Sequence, residues 1–170
     1  MADSQRLSDM LITINPSNGE ELERYPYMSD GDFNDTIEKC HEAFLEWRHE
    51  TPEHRAEIIK KIGEGLKSKK TELTRMMTNE MGKVLKQGEA EMDLCIGICD
   101  WTAENGSKEL RNEERELPNG GKGIITYSPI GVIYGIQPWN FPAYQVVRYA
   151  IANLMAGNGV LLKHAESVTG

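Results

Sequence analysis

Val132-Ile133-Tyr134-Gly135-Ile136, running into Gln137-Pro138-Trp139-Asn140-Phe141-Pro142, is the stretch whose reading decides the fold. The first part is apolar and β-branched without alternation, the pattern of a strand buried on both faces of a parallel sheet. Two prolines, Pro138 and Pro142, cannot both lie inside a helix or a central strand, so the second part is a stiff turn at the strand's carboxyl end. Ala143 to Ala156 holds no breaker and is mostly apolar, which predicts a buried helix, and Gly157-Asn158-Gly159 supplies its C-cap and a tight turn. Gly159-Val160-Leu161-Leu162-Lys163 is a second short apolar run that ends in a charge. Together these pieces predict one βαβ crossover. In open α/β sheets ligands sit beyond the carboxyl ends of the strands, so the candidate site lies at Gln137 to Phe141 and Lys163 to Glu166.

Working outward, Leu11 to Ile14 followed by Asn15-Pro16-Ser17-Asn18-Gly19-Glu20 predicts a strand and a turn, with Asn-Gly offering the positive φ of a hairpin. Helical spacing starts after Ser29 or Asp30 as the cap, with Phe33, Ile37, Phe44 and Leu45 apolar. Thr51-Pro52 opens a second helix with Ala56, Ile59, Ile62 and Leu66 on one face, and a further helical segment runs from about Glu72 to Met81 and stops at Gly82. Val84 to about Asn105 predicts a long helix, which Gly88 and Gly97 weaken unless they permit close packing. Its acids Glu89, Glu91 and Asp93, spaced two apart, point to different faces and read as a solvated surface rather than an acid/base or metal cluster. Gly106 to Gly121 is polar and turn-rich, and Lys122 to Pro129 reads as a strand.

Length and composition narrow the functions. A chain of 170 residues suffices for one domain with a core. Its 19 basic against 27 acidic residues give a net charge of -8, which argues against nucleic acid or anionic membrane as a partner. No apolar run reaches the length of a membrane span, and Met1 to Met10 has neither the basic start nor the apolar core of a signal peptide, so a cytoplasmic protein is expected. Three cysteines, an odd number, suit a reducing compartment. Cys95 and Cys99 share one helix face, but no third ligand lies near in sequence, so they read as small buried hydrophobes and no metal site is expected.

Pro138-Trp139-Asn140-Phe141-Pro142, then Ala156-Gly157-Asn158, then Leu162-Lys163-His164-Ala165-Glu166, at this spacing, resemble the aldehyde dehydrogenase superfamily. Asn15 to Glu20 resembles that family's N-terminal hairpin, and Asn79-Glu80-Met81-Gly82-Lys83 its EMGK signature. His164 stands where the family usually has proline, a variant that resembles the semialdehyde dehydrogenase branch and puts the rigidity of its loop in question. The resemblance is to the N-terminal third of such enzymes. It implies an α/β fold, the N-terminal part of a Rossmann-like cofactor domain, with hairpin and helices over residues 1–106, a β-hairpin oligomerisation arm over 107–129 and the first βαβ unit over 130–170. The arm implies a homo-oligomer, since a lone strand pair is marginally stable and its edges are open to a partner.

The family oxidises aldehydes through a cysteine thiolate that adds to the carbonyl, hydride transfer to nicotinamide, and hydrolysis of a thioester. Negative charge appears on oxygen in the first adduct, and an amide N–H that does not titrate suits it. From composition alone a helix cap is the better reading of Asn140; the resemblance reverses this and gives it that catalytic role. The resemblance also assigns Lys163 and Glu166 to the adenosine ribose, with Ala165 beside them, and Ile136, Gln137, Pro138 and Trp139 to the cofactor cleft. A surface ion pair is the plain alternative for Lys163 and Glu166. A carboxylate near the ribose 2′-hydroxyl repels a 2′-phosphate, which favours NAD over NADP. Arg148, a lone cation among Val146, Val147, Tyr149 and Ile151, must find an anion or reach solvent. By resemblance it matches the position where succinate-semialdehyde dehydrogenases bind the substrate's remote carboxylate; related enzymes with other substrates also carry arginine there, and an ordinary internal salt bridge is the plain alternative. The expectation is therefore the N-terminal portion of an NAD(P)-dependent aldehyde dehydrogenase acting on a small aldehyde such as succinate semialdehyde. The nucleophile and the water-activating glutamate fall beyond Gly170, so the chain as written is expected to be inactive. The rival is a truncated, non-catalytic chain acting as an oligomerisation or interaction module.

Overall fold

In the computed structural model, which describes residues 10–170, the chain begins as the expected hairpin: β1 (Met10–Ile14) pairs antiparallel with β2 (Glu21–Pro26). Asn15 organises the turn, its side chain accepting from Ser17 N at 2.9 Å and its carbonyl from Gly19 N at 2.8 Å, with Gly19 at φ 77°. Helix α1 (Asp30–Trp47) is capped by Ser29, whose hydroxyl accepts from Asp32 N at 3.1 Å. Of its apolar residues only Phe44 is buried; Phe33, Ile37 and Leu45 stay exposed, because α1 meets the rest of the fold along a narrow line. Along that line Cys40 Sγ reaches Val160 O at 3.5 Å and Trp47 Nε1 donates to Leu154 O at 3.0 Å.

Helix α2 (Pro52–Met81) runs unbroken where the sequence suggested two segments. Ser68 to Thr71 holds no breaker, and charges on a solvated face are no obstacle: Lys69 and Glu72 pair there at 2.8 Å. Gly82, at φ 73°, ends it. Helix α3 (Leu85–Glu109) extends past the predicted Asn105 and packs antiparallel along α2. Two close approaches fix that direction. A Cβ at Gly63 would stand 2.9 Å from Cys99 Cβ, and one at Gly88 would stand 3.0 Å from Thr74 Cγ2. Gly88 therefore buys close packing, whereas Gly97 has nothing within 4 Å.

After β3 (Glu113–Glu116) and β4 (Lys122–Ile125), an antiparallel pair, comes the predicted crossover: β5 (Val132–Ile136), α4 (Pro142–Met155) and β6 (Gly159–Lys163), the two strands parallel in the register Val132 to Gly159 through Ile136 to Lys163. Ala56, Ile59, Cys95, Cys99, Val147, Ile151 and Met155, from α2, α3 and α4, form the core. The strand β5 is not buried on both faces. Gly135 is buried against Tyr149 of α4, but on the alternate face Tyr134 and Ile136 are 52% and 69% exposed. The sheet has only two strands, and α1 covers that face only near Gly159 and Val132 through Phe44. A short 3-10 turn, Glu166–Val168, follows β6. Among the described residues no helix is long and apolar enough to cross a membrane, and no group of three His, Cys, Asp or Glu side chains could hold a metal ion.

Candidate functional site

Because Ile136 stands opposite Lys163, and Gln137 N donates to Lys163 O at 3.0 Å, the carboxyl ends of β5 and β6 bring the two predicted halves of the site to one edge. Ile136, Trp139, Phe141 and Leu162 are all largely exposed around this edge, Leu162 on the α4 face of the sheet and Ile136 on the other. Lys163 and Glu166 are exposed, and among the described residues neither is in an ion pair, so the surface-pair alternative does not form. Gln137 and Ala165 are half-buried between them, and Pro138 is exposed.

Asn140 is exposed. Its backbone carbonyl accepts from Lys83 Nζ at 2.9 Å, and among the described residues nothing bonds its carboxamide. The N-cap of α4 is Phe141, at φ -137°, with no side-chain cap bond, so capping is not what occupies Asn140. Arg148 reaches solvent rather than an anion, its guanidinium 5.6 Å from the Tyr144 ring one turn earlier. His164 answers the question its substitution raised. Ala165 N donates to Nδ1 at 2.8 Å, so the ring proton sits on Nε2, which donates to Pro142 O at 3.0 Å. The histidine thus ties the loop after β6 to the start of α4, a restraint of a different kind from proline's.

Two residues that sequence reasoning missed stand behind this turn. Glu91, read as part of a solvated surface with Glu89 and Asp93, is 3% exposed, and Lys83 is 7% exposed. They form a buried ion pair, Lys83 Nζ donating to Glu91 Oε2, while Glu91 Oε1 accepts from Ala143 N and Tyr144 N, both at 3.0 Å. Lys83 Nζ also lies 4.0 Å from the centre of the Phe141 ring. The other two acids keep the predicted role: Glu89 is exposed, and Asp93 pairs with Lys70 at 2.6 Å. The signal for Glu91 was its company, since Gly88, Glu91, Met92, Cys95 and Cys99 recur at helical spacing and are all buried.

The three thiols are free, and none is poised to react. Burial, with help from the Glu91 charge, pushes Cys95 up to about 12, and burial pushes Cys99 up to about 11. Burial also raises Cys40, against the backbone bond at Val160.

The family model described as Aldehyde dehydrogenase family matches residues 2–170. This chain belongs to the aldehyde dehydrogenase family. It is 40% identical over 159 residues to a succinate semialdehyde dehydrogenase [NAD(P)+] of Escherichia coli strain K12, covering 94% of this chain and 34% of that protein. It is 36% identical over 163 residues to a succinate-semialdehyde dehydrogenase [NADP(+)] of Deinococcus radiodurans, covering 96% of this chain and 34% of the relative. Among solved structures, a succinic semialdehyde dehydrogenase from Streptococcus pyogenes in complex with NADP+ superposes with a TM-score of 0.88 at 31% identity, covering 93% of this chain and 35% of the other. The chain spans about a third of the length of the curated relatives it matches. The aldehyde dehydrogenase segment in hand is thus the hairpin, helices and first crossover of the fold.

Proposed function

We propose that this chain is the N-terminal portion of an NAD(P)-dependent aldehyde dehydrogenase that oxidises succinate semialdehyde to the dicarboxylate, with Asn140 as its oxyanion donor. The observation that carries the reading is an exposed, unbonded carboxamide on a turn whose backbone is held from behind, at the carboxyl end of a parallel strand. In the reaction a cysteine thiolate forms a C–S bond to the aldehyde carbon, and the carbonyl electron pair moves to oxygen. Asn140 Nδ2 donates to that oxygen, and because its backbone is already held by Lys83 it has less to reorganise as charge grows. Cys95 and Cys99 do not suit the role, because burial raises their ionisation and shuts out a substrate, and the half-buried Cys40 has its thiol turned to Val160 O at 3.5 Å. Arg148, free at the surface, fits the remote carboxylate of the substrate, a charge-assisted pair that a neutral aldehyde cannot make.

The nicotinamide dinucleotide supplies a hydride acceptor when bound. Lys163 and Glu166 fit it, being an exposed donor and acceptor with no mutual ion pair, set beside the apolar surface of Ile136 and Trp139. Glu166 favours NAD, while the relatives named for NADP weigh toward the phosphorylated form; the ratio of kcat/KM for the two decides it. The arm of residues 107–129 exposes Ile124, Ile125 and Tyr127 beside open strand edges, which supports pairing with a neighbouring subunit of the same kind. Three free thiols suit a reducing compartment, and we place the enzyme in the cytoplasm.

The test uses the gene expressed through to its stop codon. Asn140→Ala is expected to lower kcat for succinate semialdehyde about 100- to 1,000-fold with little change in KM. An unchanged kcat refutes the assignment.

A further inference from the structure

Burying Lys83 and Glu91 together is a poor way to gain stability, because the desolvation of two charges roughly cancels their attraction. What the pair does is geometric. The ammonium spends its donors on Glu91 and on the Asn140 carbonyl at 2.9 Å, with the Phe141 ring 4.0 Å away. The second carboxylate oxygen takes Ala143 N and Tyr144 N at 3.0 Å each, satisfying two of the amides that every helix start leaves open. Phe141 gives α4 no side-chain cap of its own, so Glu91 supplies the cap from another helix, where a negative charge is favoured. One buried pair therefore grips the backbone on both sides of Phe141, from Asn140 to Tyr144, and leaves the Asn140 side chain free.

We infer that Lys83 and Glu91 are positioning residues for the oxyanion donor: they fix the Asn140 backbone from behind so that its carboxamide is aimed without being bonded. The inference rests on the reading of Asn140 given above. Among the described residues nothing bonds the Asn140 carboxamide, so the restraint the structure shows on this residue enters through its main chain. A misplacement of about 1 Å at such a group costs on the order of 100-fold in rate.

The test is a double-mutant cycle in the complete enzyme. Lys83→Met is expected to lower kcat about 10- to 100-fold while KM for aldehyde and nucleotide stays within about threefold. Combined with Asn140→Ala it is expected to give no further loss, because a brace has nothing left to aim. Glu91→Gln, which keeps an acceptor for Ala143 and Tyr144, is expected to retain more kcat than Glu91→Ala. Losses that multiply in the double variant, or a kcat within about twofold of the parent for Lys83→Met, overturn the positioning role and leave Asn140 as oxyanion donor untouched. An Asn140→Ala enzyme with parental kcat removes the oxyanion reading and this inference with it. If Lys83→Met does not fold, Lys83→Gln, which keeps a polar group but loses the charge and the reach, is placed in the same cycle and judged by the same outcomes.

Discussion

Replacing Gly135 by alanine probes whether β5 truly lies against α4. A Cβ there would meet Cζ of the Tyr149 ring most closely and stand 2.6 and 2.7 Å from the carbons on either side of it, against about 3.5–4.0 Å for carbon atoms in contact. The ring must move back by about 1–1.5 Å to restore such a contact. It is not free to do so, because the Tyr149 hydroxyl donates to Leu161 O at 2.8 Å and is held to β6. Overpacking of this kind costs about 1–3 kcal/mol, and losing the hydroxyl bond adds about 1 kcal/mol. Against that, alanine restricts the unfolded chain and recovers about 0.4–1 kcal/mol. A net loss of about 1–3 kcal/mol is expected. Urea unfolding followed by tryptophan fluorescence measures it, Trp47 being the half-buried indole whose Nε1 donates to Leu154 O at the end of α4. Because the three nearest atoms all belong to Tyr149, the same substitution in a Tyr149→Ala background is expected to be close to neutral. A Gly135→Ala chain within about 0.5 kcal/mol of the parent, or an equal loss with the ring already removed, refutes the packing argument.

Two further outcomes follow from groups on either side of the site. Cys95 and Cys99 are expected to react with a thiol reagent at pH 8 only as fast as the chain opens, and a rapid native-state reaction of either would contradict their burial. Their folded-state values of about 12 and about 11 lie above the unfolded one, so the unfolded state loses its protons first. Stability is thus expected to fall as pH rises from about 8.5 through those values, a slope that Cys95→Ala lessens. His164→Ala removes the bond to Pro142 O and the acceptor of Ala165 N. It is expected to cost about 1–2 kcal/mol and to speed amide exchange at Ala165, and unchanged exchange there would show that the histidine does not restrain the loop.

The crossover was legible because its signals are local: unbroken β-branched runs, prolines at 138 and 142, and glycines at 157 and 159. The hairpin turn at Gly19 and the helix stop at Gly82 were legible for the same reason, as positive φ selects glycine. The length of α2 was misread because a polar stretch without Gly or Pro looks like a break in the apolar rhythm although nothing in it stops a helix. The exposure of Tyr134 and Ile136 was hidden, since an apolar run does not say how many strands will flank it. Of the candidate site, Asn140, Lys163 and Glu166 stood out through motif wording, and their convergence at one edge followed from the topology. Lys83 stood in the EMGK wording without a role and Glu91 in none, because their partners lie 57 and 52 residues along the chain and no periodicity reports a contact that long. Carboxylates at i and i+2 point to different faces, but that spacing does not say which face is apolar, and Glu91 lies on the buried one with Gly88, Met92 and Cys95.

That separation bears on the order in which the chain assembles. The α2/α3 hairpin turns at Gly82 and joins neighbours in sequence, so its closure entropy is small. Lys83 and Glu91 sit on either side of the start of α3 and can meet as soon as that corner forms. The loop they grip is made later in synthesis, which runs from the N-terminus. In order of synthesis the corner that bears Lys83 and Glu91 precedes the asparagine turn whose main chain it holds.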